Sequence, residues 1–239
     1  MTRPRYGVDA PPVLFGLSSA AVLLLIGAVI GFALAGWPGG IWPLLLGLYF
    51  TASASLFLHT TKRGKFAVWR EILDGLALRG DEQALDLGCG RGAVLIAVAG
   101  RLTTGRATGA DLWRSVDQSG NAEAVTRANA AAAGVADRVS LDTADITALP
   151  YPDESFDLIV SSLAIHNIHP PPGRPAALDE ALRVLRPGGR LVIADINATR
   201  SYRSHLVERG LSTTLRPLGW RMWFGGPWVA TSLVTTAKP

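Results

Sequence analysis

The chain has 239 residues, enough for one full α/β domain with an appendage. Hydrophobic residues make up 49% and charged residues 18%, and a mean hydropathy of +0.26 points to membrane-embedded sequence beside a folded domain. A single cysteine (Cys89) excludes an intrachain disulfide framework or a multi-cysteine metal site, four histidines without zinc-ligand spacing give no metal, and a net charge of +4 suits an anionic membrane surface better than nucleic acid.

The first predicted element is an uncharged run from Val13 to Trp37, long enough to cross about 30 Å of hydrocarbon as a helix. "PGG" (Pro38, Gly39, Gly40) reads as a turn. A second uncharged stretch, about 41–58, contains Trp42 and Tyr49 and suits a second membrane helix. Arg3 and Arg5 precede the first stretch, and Lys62, Arg63 and Lys65 follow the second. Cations on both outer flanks and none in the short loop predict a transmembrane hairpin with both ends in the cytosol. That makes residues 1–61 an anchor and places residues 62–239 on the cytoplasmic side of the cell membrane, in a multi-pass protein. Two other readings are a signal peptide cleaved after "ALA" (33–35) and a second stretch that lies in the interface. The apolar run is longer than a usual signal core and lacks the polar stop.

From about residue 66 the pattern changes. A helical stretch, "FAVWREILDGLAL", leads into short apolar runs that alternate with Ala-rich helical ones. Strands are predicted at 83–87, 106–112, 138–145, 156–165 and 190–196. Helices are predicted at 92–101, 121–133, 174–186 and near 200–210. Two closing strands, 212–222 and 228–237, suggest a hairpin at the sheet edge. Such β-α alternation predicts a parallel, Rossmann-like sheet with helices on both faces. Ligands in such sheets bind beyond the carboxyl ends of the strands.

The first strand runs into "DLGCGRG" (Asp86 to Gly92). Glycines let backbone approach a ligand, and the helix that follows favours anions at its start. A dinucleotide loop would read G-x-G-x-x-G. Here Asp86 precedes Gly88 and Gly90, and a carboxylate there repels a pyrophosphate but attracts an ammonium. The second strand ends at Asp111, about twenty residues on, where a carboxylate can accept from both hydroxyls of a ribose. Leu112 and Trp113 offer an apolar wall to an adenine. At the third strand tip Asp145 can accept from an adenine amino group, and the N–H of Ile146 can donate to a ring nitrogen. An amino-acid end, a ribose and an adenine together describe S-adenosyl-L-methionine.

These stretches, with "DTADITALPYPDESFDLIVSS" and "EALRVLRPGGRLVIADI", resemble class I S-adenosylmethionine-dependent methyltransferases of the small-molecule type over roughly residues 70–200. The resemblance implies a seven-stranded, mostly parallel sheet whose last strand is antiparallel, and it implies cofactor roles for Asp86, Gly88, Gly90, Asp111 and Asp145. "WRSVDQSGN" (113–121) resembles a loop of membrane-attached bacterial members, although a helix usually starts sooner there, which leaves the roles of Asp117 to Asn121 open.

In this fold the fourth strand tip borders the cofactor methyl and the acceptor. Ser161 and Ser162 are expected to line the methionine end, with His166 and Asn167 just beyond as candidate catalytic residues. A histidine can take a proton from an acceptor at neutral pH. The competing reading makes His166 a structural hydrogen-bonder, since alignment of an already nucleophilic acceptor supplies much of the acceleration. Cys89 reads as a small filler beside the cofactor, His169 as a loop residue, and Asp153 and Glu154 as a solvated turn. The aromatic cluster 219–228 fits a pocket lid, membrane contact or a packed hairpin.

The expected activity is methyl transfer from S-adenosylmethionine to a small, lipophilic acceptor held near the bilayer: a quinone precursor, a lipid or a phenol. The alternatives are a soluble metabolite as acceptor, or a silent cofactor-binding membrane protein. No N-P-P-Y-type motif points to nucleic acid.

Overall fold

The computed structural model describes residues 4–114 and 118–239. Arg3 and Asp117 fall outside the described residues.

The N-terminal apolar sequence forms one long element, α1 (Pro11–His59), broken at Gly36, whose φ of 61° and ψ of −154° are non-helical. The chain reverses there. A β-carbon on Gly31 would overlap the Gly39 carbonyl, Gly40 lies against the Phe32 ring, and a β-carbon on Gly47 would meet the Leu25 side chain at 2.8 Å. Residues 11–35 and 37–59 are therefore two antiparallel arms whose small residues let the backbones approach closely. The reversal is at Gly36 and not at the expected "PGG". Pro38 lies in the first turn of the second arm, where its missing N–H would have no partner in any case. The outward faces are apolar: Phe15, Leu23, Val29, Leu34, Trp37 and Trp42 are exposed.

The second arm does not stop at the expected boundary near residue 61. It continues through a π-type turn (Thr60–Gly64) into α2 (Lys65–Gly75). Val68, Trp69, Ile72 and Leu73 of α2 are buried against the sheet, so one helical rod belongs to both parts of the molecule.

The sheet has seven strands: β1 (Gln83–Leu87), β2 (Arg106–Asp111), β3 (Val139–Thr143), β4 (Phe156–Ser162), β5 (Leu185–Ile196), β6 (Thr213–Pro217) and β7 (Thr231–Ala237). Their order is β3-β2-β1-β4-β5-β7-β6. β1 to β5 pair in parallel, and β7 inserts antiparallel between β5 and β6. The strand order reverses between β1 and β4, each of which is followed by a loop on the same sheet edge.

Alternate side chains divide the core into two layers. Ala84, Leu158, Val160, Val192 and Ala194 face α2, α3 (Ala93–Ala99) and α4 (Glu123–Ala132). Leu85, Leu87, Ile159, Leu191 and Ile193 face α5 (Gly173–Val184) and α6 (Thr199–Glu208). The predicted elements agree to within a few residues, with three larger differences, one of which is that β6 ends at Pro217 and not near residue 222. β4 ends at Ser162, because Leu163 has positive φ and a short 3-10 turn (Ile165–Asn167) follows. β5 begins five residues earlier than the apolar run, at Leu185.

Candidate active site

A cavity of about 700 Å³ opens at the carboxyl ends of β1, β2 and β4. That is the size of a pocket for a cofactor and a small partner.

The glycine loop after β1 forms one wall. Gly88 and Gly90 have φ of 69° and 51°. A β-carbon on Gly88 would overlap Ala164, and one on Gly90 would meet Gln118 Oε1 at 2.7 Å. Both positions thus demand glycine for conformation and for space. Cys89 lies between them, 6% exposed, with its sulfur packed toward Gly109. Burial pushes its thiol well above the ordinary range, which leaves a neutral filler.

Asp86 shares the apolar face of β1 with Ala84 and is 2% exposed. Its Oδ1 is buried and accepts no hydrogen bond from the described residues. Burial raises its pKa well above the carboxylate range, a Leu95 backbone hydrogen bond opposes that, and the Asp111 charge adds to it. A buried, half-satisfied carboxyl on a cavity wall is a site for a cation or a strong donor.

Asp111 ends β2 and is already well engaged. It accepts from the N–H of Gly90 at 2.8 Å, the N–H of Trp113 at 2.6 Å and Asn121 Nδ2 at 3.2 Å. It therefore ties the glycine loop to the β2 loop while still lining the cavity. Leu112 also lines the cavity and is 41% exposed. Trp113 turns back, and its Nε1 donates to Thr143 Oγ1 at 2.8 Å, so it is not the apolar wall expected of it. Asp145 and Ile146 lie on the lining. Asp145 accepts from the Thr147 N–H and hydroxyl, which lower its pKa and hold its carboxylate in one orientation.

The two serines of β4 part company, as strand alternation requires. Ser162 lines the cavity, and Trp69 Nε1 donates to its hydroxyl at 2.9 Å. Ser161 faces the opposite layer. It is fully buried, and its hydroxyl donates to the Leu87 carbonyl at 3.0 Å. The expectation that Ser161 lines the methionine end is thus corrected: two consecutive strand residues cannot both face one cavity.

Beyond β4, His166, Asn167 and His169 all line the cavity. His166 Nδ1 lies 2.5 Å from Asp195 Oδ1, and its backbone N–H donates to Asp195 Oδ2 at 3.0 Å. Asp195 is fully buried at the end of β5 and also accepts from the Tyr202 hydroxyl at 3.3 Å. Burial, then the Asp195 charge, raises the Tyr202 phenol above its ordinary range, so it remains a donor. Arg174 holds the His166 carbonyl at 2.6 Å. Where Nδ1–H donates to Asp195, Nε2 is the ring nitrogen left to face the cavity as an acceptor. Asn167 makes only a long bond, 3.4 Å, to the Leu163 carbonyl.

Sequence reasoning missed Asp195, although a carboxylate ending an apolar strand at the ligand edge was a readable signal. It also missed the N-terminal segment. Asp9 pairs with Lys65 at 2.7 Å and accepts from Thr61 and from Gln118. Arg5 is clamped to Asn129, and Gln118 joins the segment to the Arg91 N–H. Residues 5–10 thereby run beside the glycine loop, and no local pattern marks those long-range bonds.

Residues 85–193 match a family model described as a methyltransferase domain. Together with the strand order and the glycine loop, that match makes this part of the chain similar to the class I S-adenosylmethionine-dependent methyltransferases. S-adenosylmethionine is their cofactor. Among curated proteins, the chain is 37% identical over 135 residues to the ubiquinone/menaquinone biosynthesis C-methyltransferase UbiE of Roseobacter denitrificans, covering 56% of this chain and 50% of that protein. It is 40% identical over 124 residues to the 27-O-demethylrifamycin SV methyltransferase of Amycolatopsis mediterranei, covering 50% and 40%. The chain spans half or less of the length of these relatives. Among solved structures, the geranyl diphosphate C-methyltransferase of Streptomyces coelicolor superposes with a TM-score of 0.58 at 16% identity, over 72% of this chain and 80% of that one. The [4+2]-cyclase SpnF superposes equally well, at 0.58 and 21% identity, over 71% and 81%. A cyclase on this methyltransferase fold means that the reaction must be argued from the site and not from the fold.

Proposed function

We propose that this methyltransferase moves a methyl group from S-adenosylmethionine to a small, lipophilic acceptor while its N-terminal hairpin holds it in the membrane. The observation that carries this is one cavity with two chemistries: the half-satisfied Asp86 carboxyl on one wall and His166, backed by buried Asp195, on another.

The residues fit the cofactor. The free oxygen of Asp86 would hold the ammonium of its amino-acid end, and the glycine loop would let that end approach the backbone. Asp111 has one of about four lone-pair positions left for a ribose hydroxyl. Asp145 and Ile146, with Leu112, receive the adenine. Ser162, fixed by Trp69, faces the methionine end. Bound there, S-adenosylmethionine supplies a sulfonium-activated methyl group. His166 Nε2 would take the proton of an O–H or N–H acceptor as that atom bonds to the methyl carbon and the sulfur–carbon bond breaks, leaving S-adenosylhomocysteine, and Asp195 would stabilise the imidazolium. Asn167 sits beside it as a donor to the acceptor.

Lipophilic acceptors are favoured by the hairpin. Its arms have about 37 Å and 34 Å of helix without a charged residue, enough to span about 30 Å of hydrocarbon. Lys62 and Arg63 are exposed at its base, and such cations support a domain on the cytoplasmic side of the cell membrane. Membranes and purified protein incubated with methyl-labelled S-adenosylmethionine, followed by mass spectrometry, test the proposal. A labelled organic-soluble product supports it. Label only in water-soluble metabolites favours the soluble-acceptor reading, and no transfer at all favours a silent binding protein.

A further inference from the structure

The cavity does not end at His166. Its far lining is Ala10, Val13 and Phe57 at the base of the hairpin, and Phe224 and Val229 from the segment between β6 and β7. The polar cofactor loops therefore face an apolar wall contributed by the hairpin itself.

The β6–β7 segment climbs along the hairpin. Phe57 and Phe224 meet edge-to-face at 5.4 Å, and the Thr60 hydroxyl holds the Trp223 carbonyl at 2.7 Å. Gly225 lies against Leu17 and Ser53, and Trp228 packs on Tyr49 at 5.7 Å. Tyr49 is eight residues nearer the hairpin tip than Phe57, or about 12 Å along the helix. From Gly36 to Phe57 the second arm rises about 31 Å, the thickness of the hydrocarbon core. Phe57 thus falls at the hydrocarbon boundary of a spanning hairpin, with exposed Lys62 and Arg63 one to two turns beyond it at headgroup level. Residues 224–229 then lie inside the near leaflet. Trp228 is 58% exposed there and Trp220 is 55% exposed beside His59, a placement that suits interfacial tryptophans.

We propose that the acceptor enters sideways from the cytoplasmic leaflet, through a portal between the hairpin base (Val13, Phe57) and the β6–β7 segment (Phe224, Val229). The acceptor is then an amphiphile. Its nucleophilic head reaches His166 while its hydrocarbon tail stays between these side chains and the lipid. This rests on the membrane reading above and goes beyond it by naming the route and the shape of the substrate.

The test uses full-length protein in phosphatidylcholine vesicles that contain a long-chain phenol bearing a diazirine in its alkyl tail. Photolysis and peptide mass spectrometry map the adducts, with cofactor affinity measured in parallel by calorimetry. Adducts on Phe57, Phe224 or Val229 that are lost in Val229→Trp, with cofactor affinity unchanged, support the portal. Adducts confined to outward residues such as Leu23 and Ile30 overturn the portal while leaving the membrane reading intact. Vesicle flotation without the protein, and no adducts on either arm, overturn both.

Discussion

Replacing Asp86 by Asn removes a charge without changing volume, and the structure fixes two opposite consequences. The carboxyl is 2% exposed, with Oδ1 unpartnered among the described residues. An ammonium held by a buried carboxylate is a charge-assisted contact of about 1.5–3 kcal/mol. Its loss should weaken S-adenosylmethionine binding about ten- to a hundredfold in calorimetry at pH 8. The fold without cofactor should respond the other way. The folded-state pKa of Asp86 is raised, chiefly by burial, so the unfolded chain ionises first. Stability attached to this group is present below its unfolded value and is lost as pH rises through its folded value. The Asn variant escapes that loss. Its melting temperature should exceed that of the wild type at neutral and alkaline pH, and the gap should close below about pH 4, where both side chains are neutral in both states. Cofactor affinity within twofold of wild type, or a stability gap that widens on acidification, would refute the reasoning.

Three further outcomes are expected. Asp195→Asn should favour the wrong His166 tautomer and lower kcat about a hundredfold or more while cofactor affinity stays within twofold; a purely structural role would instead alter the melting temperature and leave the pH–rate profile unchanged. Gly90→Arg must place a side chain at φ 51° against Gln118, so cofactor binding measured by calorimetry should disappear. Reporter fusions at the C-terminus and at Gly39 should read cytoplasmic and external respectively, and an external C-terminus would contradict the proposed topology.

The strand pattern and the glycine loop were legible because their causes are local. Apolar five- to seven-residue runs, turn residues between them and a carboxylate before closely spaced glycines are all visible in a short window. Features set by side-chain direction or by long-range contact were not. Ser161 and Ser162 look alike in sequence, and only strand phase decides which reaches the cavity. "PGG" has the composition of a turn, yet the reversal falls two residues earlier at Gly36, where packing of Gly31 on Gly39 sets the register of the arms. The charge change near residue 61 suggests a domain boundary, yet the helix runs through it, with Thr60, Thr61 and Gly64 buried. Asp195 acts through its distance to His166, twenty-nine residues away, and the Asp9–Lys65 pair closes fifty-six residues. Neither relation has a spacing signature.

The central claim, that one cavity binds S-adenosylmethionine through Asp86 and passes its methyl group to a lipophilic acceptor with help from His166, is tested most directly by label partition. Wild-type, Asp86→Asn and His166→Gln proteins in native membranes are given methyl-labelled S-adenosylmethionine, and label in the organic extract is followed with time. The expected result is steady transfer by the wild type, transfer by Asp86→Asn that recovers at high cofactor concentration, and transfer by His166→Gln that stays low at any cofactor concentration. Equal organic-phase label from all three proteins would contradict the claim.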